Sequence, residues 1–123
     1  PPHLDGNSLL PQLKDPNTKT SPVISSYKFS YKKKKAVIGH AVRSMRYRYI
    51  YYPEINLEEL YDHENDPNEW NNIAYKEENR QVIKDHRKVL LDMLPQMLWK
   101  EGQPEGYTID DEGNVKKNNF ELF

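Results

Sequence analysis

The stretch Arg46 to Tyr52, RYRYIYY, alternates with a period of two and stops at Pro53. Such alternation sends successive side chains to opposite faces of a strand, and proline cannot donate to an interior ladder. Arg46, Arg48 and Ile50 therefore share one side, and Tyr47, Tyr49 and Tyr51 the other. A strand furnished differently on its two faces needs neighbours, and the flanking sequence supplies them. Val23–Phe29 (VISSYKF) and Ala36–Ser44 (AVIGHAVRS) read as strands, the second with a glycine inside it. Leu57–Asp62 (LEELYD) reads as a fourth strand or a short extended piece. Between the first two lies SYKKKK, a polar loop, because four consecutive like charges prefer solvent.

One long helix follows. From Glu78 to Leu94 the apolar positions Val82, Ile83, Val89, Leu90, Met93 and Leu94 recur on one stripe, with His86 filling the same face. Glu77 and Glu78 suit the positive end of the helix dipole, and Pro95 ends the helix near Leu94. The expected fold class is α+β: a small antiparallel sheet of three to four strands packed against a C-terminal amphipathic helix. The helix covers one sheet face, and the other face must meet solvent or another domain. Residues 1–22 hold five prolines and read as a connector, in which SLLPQL can begin a short helix with Ser8 as its cap. Leu4, Leu9, Leu10 and Leu13 of this segment need a surface to bury against. Residues 23–98 form the subdomain proper, and 99–123 a polar tail that either makes a small hairpin or drapes over a neighbour. Phe120, Leu122 and Phe123 suggest that its end docks.

With 36% hydrophobic residues the core is small, and nine tyrosines and two tryptophans must carry much of it. There is no cysteine, which excludes a disulfide framework and a thiolate zinc site. No stretch approaches the roughly 18 apolar residues of a membrane span. A net charge of -1 gives no global field for nucleic acid, yet the charge is segregated. Lys28 to Arg48 holds eight basic residues and no acid, and Glu54 to Glu69 seven acids and no lysine or arginine. Adjacent blocks of opposite sign neutralise each other when strands pair.

Each candidate site has two readings. His40, beside Gly39, is either a sheet histidine satisfied by a neighbour or a side chain aimed at a cleft, since glycine permits close approach of backbone or ligand. Arg43, Arg46 and Arg48 can clamp an anion bidentately or pair with the acidic block. Lys32 to Lys35 either recognises a sulfated polymer or nucleic acid, or is a solvated loop. His63 and its acidic neighbours lack EF-hand spacing and its glycine, so Asp62 and Asp66 are expected to cap turns, with Trp70 as a core anchor beneath. His86 is expected as a satisfied interior histidine, and nothing speaks for His3. No nucleophile, base and electrophile can be assembled from the chain.

Three strings resemble one family. LDGNSLLPQLKDP (Leu4–Pro16) is similar to the connector after the catalytic core of type I sulfatases, whose pattern is Leu-Asp-Gly-x-Ser-Leu-x-Pro-x-Leu. GHAVRSMRYRYIYY (Gly39–Tyr52) resembles that family's strand pair, with its Arg-Thr/Ser-x-x-x-Lys/Arg-Tyr-Ile core. EELYDHENDPNEWNNIA (Glu58–Ala74) looks like its Glu-Leu-Tyr-Asp-x-x-x-Asp-Pro-x-Glu-x-x-Asn-Leu-Ala signature, with Ile73 in place of leucine. The resemblance is strongest to the branch of iduronate-2-sulfatase and bacterial polysaccharide sulfatases.

That resemblance implies a C-terminal subdomain that docks on a larger α/β domain or chain. The larger part would carry a formylglycine, made from Cys or Ser in a Cys/Ser-x-Pro-x-Arg motif, and a calcium ion; this chain would bind neither. It implies a sulfuric ester hydrolase acting on a sulfated carbohydrate, in a periplasmic, extracellular or lysosomal setting, with no nucleic acid partner. The strand pair would reach the pocket rim, so that His40 and Arg43 become the substrate-binding candidates, while Tyr47, Tyr49, Tyr61 and Trp70 are structural. The chain alone is expected to be inactive. The competing classes are an anionic-polymer-binding module and a purely structural subunit.

Overall fold

The computed structural model describes residue 8 and residues 10–19, 21–31 and 35–118. His3, Leu4, Leu9, Lys32 to Lys34, Phe120, Leu122 and Phe123 lie outside the described residues, as do the side chains of Tyr31 and Lys35. A short helix α1 (Leu10–Lys14) opens the described chain, and the Ser8 hydroxyl accepts the Leu10 N–H at 3.2 Å. Four strands follow as an antiparallel meander in sequence order: β1 (Val23–Tyr31), β2 (Lys35–Arg43), β3 (Tyr47–Tyr52) and β4 (Leu57–Asp62). A 3-10 turn, Glu77–Asn79, leads into α2 (Arg80–Met93). The tail carries a hairpin of β5 (Tyr107–Ile109) and β6 (Val115–Lys117).

The register follows from the alternation. His40 opposes Tyr51, Val42 opposes Tyr49, and Tyr49 opposes Leu60. These residues share the face that α2 covers: Val42, Tyr49, Tyr51 and Leu60 form one buried cluster with Ala74, Ile83, Leu90 and Met97. Ile83, His86 and Leu90 are the buried residues of α2, whereas Met93, assigned to the same stripe, is 62% exposed at the helix C-terminus.

The second face departs from expectation. It is not left for solvent or a neighbour, because Val37, Ala41, Ile50, Tyr52, Ile55 and Leu57 form a second buried cluster, edged by Phe29, Tyr61 and Tyr107. Two features close it. Aromatic rings from β1 and β3 lie together, with Phe29 edge-on to Tyr52 at 5.8 Å and Tyr27 edge-on to it at 6.3 Å. Ile55, in the β3–β4 turn, adds to the cluster and anchors the tail through the Glu105 N–H to its carbonyl at 2.8 Å. The tail is fastened again at Tyr75, where Gly113 has φ 82° and any Cβ would collide with the Tyr75 carbonyl. Each fully buried large apolar side chain contributes roughly 1.5–3 kcal/mol, so two filled faces compensate for the low aliphatic content.

Candidate functional site

His40 sits where the β2–β3 pairing ends, opposite Tyr51, on the helix side of the sheet, half-buried. Its Nδ1 is 2.8 Å from the Ser26 hydroxyl on β1. Burial pushes its pKa below the ordinary value, with Glu54 pulling weakly the other way. The imidazole is therefore neutral near pH 7. Gly39 beside it has its own occupant: a Cβ there would lie 2.7 Å from Cζ of Tyr27 and 2.8 Å from Cε1 of Tyr52. The glycine makes room for two tyrosine rings on the opposite face.

Arg43 ends β2. Its Nη1 donates to the Ser44 carbonyl at 2.6 Å and the Tyr47 carbonyl at 3.2 Å, holding the β2–β3 turn. Three positions separate it from His40, so alternation puts the two on opposite faces, about 10 Å apart along the strand. The structure does not bring the two predicted rim residues together. Lys35 and Arg43 likewise mark opposite ends of β2, about 26 Å apart in extended chain.

The other arginines pair with the acidic block. Arg46 holds Asp62 bidentately at 2.8 and 2.7 Å and reaches Glu64 at 3.3 Å. The Arg46 guanidinium keeps the Asp62 carboxyl well below the usual carboxylate range. Arg48 binds Glu69 at 3.1 Å, and His63 Nε2 lies 2.7 Å from the other Glu69 oxygen. His86 is the interior histidine expected: its Nδ1 donates to the Val82 carbonyl at 2.7 Å, and Nε2 faces the Ser44 hydroxyl at 2.8 Å. Since a carbonyl only accepts, Nδ1 carries a proton.

Asp62 and Asp66 cap the turns they were expected to cap. Asp62 accepts the Glu64 N–H, and Asp66 accepts those of Trp70 and Asn71. Trp70 is a correction. It is not an anchor beneath this loop but 80% exposed. Glu69 has φ 57°, and that left-handed residue, with the Asp66 cap, turns the Trp70 side chain outward. Ile73 and Ala74 provide the apolar contact instead.

Sequence reasoning missed Glu58. Its carboxylate is buried on the helix face and accepts the Tyr49 hydroxyl at 2.6 Å and a two-nitrogen contact from Arg87. Trp99 Nε1 donates to the same Tyr49 oxygen at 2.8 Å, and burial raises the Tyr49 pKa far above its ordinary value. The signal was present: Glu58 lies in phase with Leu60, an acid at an inward position. Glu58 and Arg87 line a cleft of about 540 Å³ together with Lys76, Lys84 and Lys100. Trp99 lines it, with its ring already packed against Tyr51 and Arg87.

Among the described residues no group of three or more His, Asp or Glu side chains could hold a metal ion, and the chain has no cysteine. Among the described residues no helix is long and apolar enough to cross a membrane.

A four-stranded antiparallel meander with one covering helix and turns locked by ion pairs is an α+β subdomain. The sequence profile of N-sulphoglucosamine sulphohydrolase, C-terminal, matches residues 1–96, and the chain belongs to this sulfatase C-terminal family. It is 37% identical over 90 residues to a Delta 4,5-hexuronate-2-O-sulfatase of Bacteroides thetaiotaomicron, covering 72% of this chain and 19% of that protein. A crystal structure described as that of a sulfatase from Bacteroides thetaiotaomicron superposes with a TM-score of 0.63 at 35% identity, covering 78% of this chain and 21% of the other. The structure of a 2-O GAG sulfatase gives a TM-score of 0.65 at 27% identity, covering 100% of this chain and 28% of the other. The chain thus spans 19–28% of the length of the relatives it matches.

Proposed function

We propose that this chain is the C-terminal subdomain of a sulfuric ester hydrolase that acts on a sulfated carbohydrate, an O-sulfated uronic acid of a glycosaminoglycan. The 37% identity to a hexuronate-2-O-sulfatase carries this reading. The large body of such an enzyme would supply formylglycine and calcium for attack on the sulfate ester, outside the cytoplasm. The residues of this chain would supply stability and the pocket rim. His40 is the substrate-facing candidate. It is half-buried and kept neutral, suited to exchange a hydrogen bond with a sugar hydroxyl. Arg43 contributes at the end of the same strand, where it fixes the β2–β3 turn.

The test is sulfate release from a 2-O-sulfated unsaturated uronate disaccharide by the full-length protein. Release by the full-length protein and none by residues 1–123 alone is expected, with KM raised about tenfold in His40→Ala, the loss of roughly one hydrogen bond. Release by the isolated chain, or none by the full-length protein on any sulfated uronate, would overturn the reading.

A further inference from the structure

Trp70 is 80% exposed, yet the loop that presents it is held on both sides by hydrogen bonds and ion pairs. Before it, Asp66 accepts the N–H groups of Trp70 and Asn71 at 3.0 and 2.9 Å. Glu69, directly preceding, holds a left-handed backbone that favours glycine. Its carboxylate is pinned from two sides, by Arg48 on β3 and by His63. After it, Asn72 binds the edge of β4, accepting the Leu60 N–H at 3.0 Å and donating to the Glu58 carbonyl at 3.0 Å. A loop clamped at both ends, with backbone strain between, holds its tip in one orientation. Preorganising a large aromatic side chain in solvent is how a binding anchor is built, since less freedom is lost when it docks.

The surroundings indicate the occupant. At this end of the sheet Arg46 is neutralised by Asp62, Arg48 by Glu69, and Arg43 is engaged with turn carbonyls. A sulfated glycan would need cations held ready for its anions. Here they are spent on internal acids and, for Arg43, on backbone carbonyls. With the arginines of this end satisfied internally, the exposed Trp70 ring suits an apolar protein surface, and the relatives are about five times longer than the segment matched.

We propose that Trp70 is the anchor by which this subdomain docks into an apolar pocket on the larger body of its own polypeptide. This rests on the reading of the chain as a sulfatase subdomain. The test is hydroxyl-radical footprinting of the full-length protein, read by mass spectrometry at Trp70 and compared with residues 1–123 alone. Trp70 should oxidise at least tenfold more slowly in the full-length protein, independently of protein concentration and of added sulfated disaccharide. In Trp70→Ala, protease cleavage between the two bodies should accelerate about 30-fold, the effect of losing an interface hot spot. Equal oxidation in both forms would overturn the proposal. So would protection that appears only with sugar, which marks a saccharide platform, or only at high protein concentration, which marks a second copy. Sulfate release by the wild-type enzyme is scored separately, so failure of the docking leaves the sulfatase reading standing, and the reverse.

Discussion

Gly39→Ala tests whether the glycine in β2 serves packing or ligand approach. The added methyl would lie 2.7 Å from Tyr27 Cζ, 2.8 Å from Tyr52 Cε1 and 2.9 Å from the Tyr27 hydroxyl oxygen. Carbon contacts are optimal at about 3.5–4.0 Å, so a ring must retreat by roughly 1 Å. Tyr52 is poorly able to, being 7% exposed with its hydroxyl held by Glu59 at 2.7 Å. Tyr27 is 40% exposed and can swing out, losing its 2.6 Å contact with the Tyr52 hydroxyl and its stacking on Phe29. The lost hydrogen bond costs about 1 kcal/mol and the lost ring contacts about 0.5–1.5, while replacing glycine in a strand recovers about 0.5–1. The net destabilisation is about 0.5–2 kcal/mol, at the lower end for overpacking. Urea unfolding should show the midpoint falling by about 0.25–1 M for a slope near 2 kcal/mol/M. Tyr27→Ala lets Tyr52 relax into the vacated space, so in that background the penalty should shrink by at least half. An equal loss in both backgrounds, or none in either, would refute the packing account and return Gly39 to the ligand reading.

Arg87→Met leaves the buried Glu58 carboxylate with only the Tyr49 hydroxyl, and the Arg87 side chain is 36% exposed, which softens the effect. Unfolding should show a loss of about 2–3 kcal/mol, largely recovered when Glu58→Gln is added. The histidine at position 40 sets a pH dependence. Its folded pKa is depressed below 6.5, chiefly by burial, so below that value the unfolded chain binds more protons than the folded one. Its contribution to stability is complete above about pH 6.5 and is lost as the pH falls towards the folded pKa. Stability of wild type minus that of His40→Gln, followed from pH 8 to 5, should decline over that window; a constant difference would contradict the assignment.

The strands were legible because period-two alternation is a local property. Leu57–Asp62 is found as a strand with the bounds expected, and RYRYIYY divides its side chains between the two clusters as its pattern requires. The pairing of Arg46 and Arg48 with the acidic block was legible for a similar reason, since a meander lays neighbouring segments side by side. The stripe on α2 placed His86 inside, where the structure holds it.

What the sequence by itself determined is therefore the set of elements, their order and the face each side chain takes, because these depend on periods of a few residues and on turn chemistry. Only the tertiary structure decided that the second sheet face closes within the chain, that Glu58 meets Arg87 across 29 positions, and that Trp70 points outward. Those outcomes depend on which rings and charges meet after distant segments pack. A local pattern cannot encode such meetings, because the energy of each contact depends on both partners and on the water they exclude.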